Sequence, residues 1–155
     1  MISMRECSRK QCGNGGDNSS GFYTMDNQNF TIIHSYTRTQ ALEDGVLIDV
    51  SPTAGEAGFR VPTAISSNLY ARYIKPSEET REHGQSTLGR LWDVLMVFRI
   101  YAHRSGSQRV LFPVQFITGT RQDGSPRNET VQVLGLLHSG DTREPVITIM
   151  LPEDE

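Results

Sequence analysis

Asp44, Asp49 and Glu56 make a group of carboxylates within thirteen residues, and two carboxylates brought together can hold Mg²⁺ or share acid and base work. Their settings favour architecture instead. Asp44 falls where a first helix ends, and Asp49 interrupts a β-branched run from which its carboxylate can hydrogen-bond the turn at Ser51, Pro52 and Thr53. Arg90, Trp92 and Asp93 form a second group. Arg90 and Asp93, three residues apart, read as an i,i+3 ion pair, and Trp92 as a core anchor or, if exposed, an interface hot spot. Arg99 falls between Trp92, Leu95 and His103 on a helical wheel and needs a partner if buried. Asp49 or Glu56 is the expected partner, a structural ion pair being preferred to an anion-binding pocket.

The remaining chemistry is sparse. His34, His83, His103 and His138 lack the paired spacing of zinc sites, and neither Cys7 nor Cys12 has a histidine nearby, so no metal is expected and no cofactor is implied. There is no GxxxxGK phosphate loop, no GxGxxG after a strand and no GxSxG elbow. Catalytic groups that converge only in space leave no such trace.

Composition narrows the class. A chain of 155 residues is long enough to bury a core without disulfide or metal. No apolar run approaches the roughly twenty residues of a membrane span, and Arg5, Arg9 and Lys10 are not followed by the apolar segment of a secretory signal. Two cysteines in a polar leader make no disulfide framework, so a cytoplasmic protein is expected. A formal charge of −3 disfavours binding to duplex nucleic acid, although thirteen of the fifteen basic residues are arginine, which suits planar bidentate recognition.

These side chains must be positioned by a fold that the pattern outlines. Residues 1–29, with CGNGGDNSSG and few large apolar side chains, read as a flexible leader ahead of a single domain over 30–155. Phe30, Ile32 and Ile33 suggest a short β-like run. Thr37 and Gln40 have the spacing of a capping box for a helix that ends at Gly45, a position suited to positive φ, and a strand follows over 46–50. The SPTAGEAGFRVP segment must be loop or a single helical turn. Thr63 is expected to cap a second helix over 64–74 ended by Lys75 and Pro76, and the charged stretch SEETREHGQS reads as a mobile connector.

Ser86 can cap a third helix running from Leu88 to Tyr101, which leaves little polar surface on any side and should be the most buried helix. Strands over 109–118, 130–137 and 145–151, separated by turn-rich segments, form an antiparallel meander. Pro145 and the acidic tail suit its last strand to an edge. The expected fold is α+β: an antiparallel sheet, made of this C-terminal three-stranded meander plus one or two N-terminal strands, packed against about three helices on one side.

The succession SYTRTQALEDGVLIDV, EAGFRVPTA, GRLWDVL and EPVITIMLPEDE resembles a family of small uncharacterised bacterial proteins common on plasmids, phages and other mobile elements. The resemblance covers about 30–155 and implies context more than chemistry. The charged connector departs from the family's usual passage into the WDVL segment.

The expectation is therefore a binding protein with a protein partner, docking on a host or element-encoded macromolecule. One specific version inhibits a nucleic-acid-directed defence complex, with carboxylates imitating phosphates. The competing expectation is a small enzyme or nucleotide-binding protein with a pocket near 51–62 lined by Asp49, Glu56, Arg60 and Arg90. Candidate partner- or ligand-binding residues are Asp49, Glu56, Arg60, Arg90 and Trp92, in a monomer or in a homodimer that pairs last strands.

Overall fold

In the computed structural model residues 36–155 are described, and Arg38–Glu155 form one compact unit. The expected leader, the Phe30 to Ile33 run, His34 and both cysteines lie outside the described residues. Helix α1 (Arg38–Glu43) begins directly after Thr37 and ends at Gly45, whose φ of +74° is open to a residue without Cβ. The carboxylate of Asp141 takes the α1 N–H groups of Arg38 at 2.8 Å and Thr39 at 2.9 Å, a cap delivered from a turn a hundred residues downstream. Strand β1 (Leu47–Asp49) follows, then α2 (Ser51–Glu56) with Pro52 in its first turn, so the helical-turn alternative for SPTAGE holds.

Residues expected to open the second helix form strand β2 (Thr63–Ser66) instead. All four of its residues are buried, and a short strand covered on both faces has no alternation to distinguish it from a helix. Ser66, rather than Thr63, caps the helix that follows, accepting the Leu69 N–H at 3.2 Å. That helix is α3 (Ser67–Leu69), running into a π turn (Tyr70–Ile74) closed by the Lys75 N–H on the Tyr70 carbonyl at 2.8 Å. The supposed mobile connector contains α4 (Glu78–Glu82), capped by Ser77. The long helix is α5 (Thr87–Ser105): Ser86 Oγ accepts the Gly89 N–H at 3.0 Å, and Gly106 at φ +61° ends it.

Strands β3 (Arg109–Thr120), β4 (Pro126–Ser139) and β5 (Pro145–Met150) form the expected meander, followed by a 3₁₀ turn (Pro152–Asp154). The five strands lie in the order β1-β2-β5-β4-β3. The sheet is mixed, not purely antiparallel, because β2 and β5 run parallel; five α-helices accompany it among the described residues, roughly consistent with the expectation of about three. Strand β5 is thus central rather than an edge. Pro145 sits at its first position, where a missing N–H disturbs no inner ladder, and Val146 to Ile149 are all buried. Both its edges are occupied, so a homodimer cannot form by pairing the last strand, and among the described residues β1 and β3 are the edges.

One face of the sheet is covered by α5. Val110, Phe112, Val114 and Phe116 of β3, Val131 and Val133 of β4, and Ile147 and Ile149 of β5 pack there against Leu91, Val94, Leu95 and Phe98. The helices are not confined to that side. Thr148, between Ile147 and Ile149, faces the other way, and the Arg38 guanidinium of α1 donates to its hydroxyl at 2.7 Å.

Candidate functional site

The cap at Ser86 fixes the phase of α5 and turns two groups of side chains in opposite directions. Arg90 is directed inward and is only 4% exposed. Its guanidinium donates to the Tyr73 carbonyl of the π turn at 2.7 Å, to the Ile117 carbonyl of β3, and to Gln85 Oε1 at 3.3 Å. The expected i,i+3 ion pair with Asp93 is replaced by these bonds: the Arg90 guanidinium is drawn inward to them, whereas Asp93, one turn on, is exposed. Burial pushes the Arg90 guanidinium down from the ordinary arginine value. No carboxylate among the described residues pairs with it.

Outward, Leu88, Trp92, Met96 and Ile100 recur at four-residue steps. Each step advances the helix by roughly 40°, so the row winds slowly from beside the buried stripe of Leu91, Val94, Leu95 and Phe98 toward the far side of the helix. Leu88 is 57%, Met96 39% and Ile100 46% exposed, whereas Trp92 is half-buried and leans on the core. Little polar surface does not here mean burial throughout: the apolar density of α5 serves two faces, of which one is in solvent. Asp93 flanks the row toward its start, and Arg99, His103 and Arg104, all exposed, flank it toward its end. Trp92 is thus the core anchor expected of it, with part of its surface left to solvent. Leu88, Met96 and Ile100 were not singled out, although their spacing was legible.

The other candidates lie elsewhere. Asp49 is exposed and accepts from the Ser51 N–H at 2.9 Å and the Ser51 hydroxyl at 2.5 Å, as its place before the turn suggested. Ser51 Oγ in turn accepts the Thr63 N–H at 3.0 Å, so this carboxylate fastens the start of α2 to β2. Glu56 and Arg60 are exposed at the end of α2 and just beyond it. Arg99 pairs with neither Asp49 nor Glu56. It donates to the Ala57 carbonyl at 2.9 Å, passing Gly58, where a Cβ would come within 2.9 Å of the guanidinium.

Asp49 on β1 and the Arg90 contact on β3 belong to opposite edges of the sheet, four strand spacings or roughly 19 Å apart. The four residues proposed to line one pocket are thus not brought together. Arg90 lines a cavity of about 330 Å³ that none of the other candidates enters, and the cavities beside His138 and Phe59 contain none of the five. Among the described residues no three His, Cys, Asp or Glu side chains are grouped to hold a metal ion, and no helix is long and apolar enough to cross a membrane.

The acidic tail is engaged within the fold. Glu153 pairs with Arg72, Glu155 pairs with Arg109, and Asp154 accepts from Ser66 Oγ at 2.7 Å and Asn68 at 2.8 Å. Burial alone would raise the Asp154 carboxyl; the bonds from Asn68, Ser66 and the Leu151 N–H, with the charge of Arg72, leave it below the ordinary range.

No curated protein and no solved structure matches this chain. A family match takes in every element from α1 to the C-terminal 3₁₀ turn, extending over residues 25–155, and the chain belongs to that family, described as a family of unknown function (DUF6573).

Proposed function

We propose that this protein is a small macromolecule-binding protein that docks a protein partner on the solvent face of α5. The observation that carries the reading is the row of Leu88, Trp92, Met96 and Ile100, contiguous apolar surface on a rigid helix whose other face is fixed to the sheet. A large aromatic half-seated in the core, ringed by exposed aliphatic side chains, has the composition of an interface centre. The flanking Arg99, His103 and Arg104 favour a partner with an apolar groove edged by carboxylates, and the helix would be read through its i, i+4 anchors.

The resemblance to bacterial proteins of plasmids, phages and other mobile elements extends the proposal to a cytoplasmic host or element-encoded partner. In the version directed at a nucleic-acid-targeting defence complex, carboxylate mimicry of phosphates would draw on exposed Glu43 and Glu56, because the tail carboxylates are already bonded. The apolar row supports docking without that mimicry.

A photo-crosslinking residue in place of Met96, with a control in place of Glu129 on β4, tests the surface in cells that express the protein. The expected result is a product specific to position 96, mapped to an apolar segment of one protein bordered by Asp and Glu and re-formed from the purified pair. Crosslinks to the chain itself, or the same products from both positions, would contradict it.

A further inference from the structure

A separate observation concerns the inner end of α5, where two backbone irregularities face one another. The first is the π turn at Tyr70–Ile74. The second is a register shift in β3, where Ile117 pairs with Asn128 and Gly119 with Arg127, leaving Thr118 as the extra residue of a β-bulge. Both kinds of irregularity are common beside functional sites, since each redirects a side chain or frees a backbone group. Arg90 joins them, one guanidinium nitrogen donating to the Tyr73 carbonyl and the other to the Ile117 carbonyl.

The cavity of about 330 Å³ between these features is lined by Arg72, Lys75, Arg90, Ser77, Thr80 and Thr118, and no carboxylate contributes to its wall. Its charge is unbalanced. Arg90 is buried with only neutral acceptors, which occupy three of the five N–H donors of a guanidinium. Lys75 is exposed at the mouth, and Arg72 is paired with Glu153 and also feels the charge of Asp154. The Thr118 hydroxyl oxygen is buried with no hydrogen-bond partner among the described residues, an arrangement that costs free energy unless a ligand satisfies it.

We propose that this cavity binds a phosphate group, as free phosphate or as the monoester of a small organic molecule. Arg90 supplies fixed positive charge at the floor, Lys75 a mobile cation at the mouth, and Thr118, by a turn about χ1 that brings its enclosed hydroxyl to the cavity, a donor to a phosphate oxygen. The volume, at the small end of the range for ligand pockets, suits a phosphate with a small substituent. Nothing in this proposal depends on the outer face of α5.

The test is an ¹⁵N-NMR titration of the full chain with inorganic phosphate and with glycerol 3-phosphate, against sodium chloride of equal ionic strength. Saturable shifts of the Lys75, Thr80 and Thr118 amides are expected. Tighter binding of the ester would identify an organic phosphate as the ligand, and equal binding free phosphate; both support the shared chemistry. Lys75→Ala and Thr118→Val should each weaken binding about tenfold, whereas Arg81→Ala on α4 should not. Thr118→Val removes a hydroxyl with no bond to lose, so it should fold as the parent does. Absence of saturable shifts, or equal affinity in both pocket variants and the parent, would overturn the proposal.

Discussion

The Phe98 ring lies over Gly135 so closely that a Cβ at that glycine would come within 2.3 Å of the ring edge. Phe98 also meets Phe59 at 5.9 Å and Phe112 at 5.5 Å between centroids, so one side chain joins α5 to β3, β4 and the segment after α2. Gly135→Ala is expected to destabilise the fold by about 1–3 kcal/mol through overpacking. The measurement is urea unfolding. Gly135→Ala combined with Phe98→Leu should cost less than the sum of the two, because the smaller side chain vacates the space the methyl needs.

The Asp141 cap predicts an acid limb in stability. Bonds from the Thr39 N–H and hydroxyl, then from the Arg38 N–H, hold its carboxyl below the ordinary aspartate range. A carboxyl with a lower pKa in the folded state stabilises the fold above its unfolded pKa, and that contribution disappears as pH falls through the folded value. Thermal unfolding between pH 7 and pH 2.5 should therefore show a decline that begins near the pKa of a free carboxyl, roughly 4, and is smaller in Asp141→Asn. Parallel curves for the two proteins would dissociate the cap from acid sensitivity.

Arg143, in the turn between β4 and β5, has a φ of +68°, a conformation that crowds its Cβ. The turn is closed by the Gly140 N–H on the Glu144 carbonyl at 2.7 Å, so its shape does not depend on the arginine side chain. Arg143→Gly should raise stability by up to about 1 kcal/mol, the relief of strain being partly offset by the greater freedom of glycine in the unfolded chain. Differential scanning calorimetry on the two proteins reads the sign.

Much of this architecture is local and hence legible. Ser86, Gly45, the apolar content of α5 and the alternation of Val110, Phe112, Val114 and Phe116 each announce an element through its own period or cap. Strand β2 was misread because Thr63 to Ser66 are buried on both faces, and its parallel neighbour β5 is distant in sequence. The edge position given to β5 rested on Pro145 and the acidic tail, features that suit the entry to a central strand and a folded-back turn equally well. The inward turn of Arg90 was hidden for a further reason: its acceptors are carbonyls released by a π turn and a bulge, and carbonyls leave no mark in side-chain spacing. Trp92 was legible as an anchor, yet the row it heads was obscured by the equally apolar buried face.

If the outward face of α5 is a docking surface, it sets the affinity of the complex re-formed with the crosslinked partner. Isothermal titration calorimetry would compare the parent with Met96→Asp, Ile100→Asp, both changes lying on exposed positions that leave the core intact. A centre that contributes like a hot spot, about 3 kcal/mol or more, predicts affinity at least about a hundredfold weaker with an unchanged melting temperature. Equal affinity in the two proteins would contradict the account.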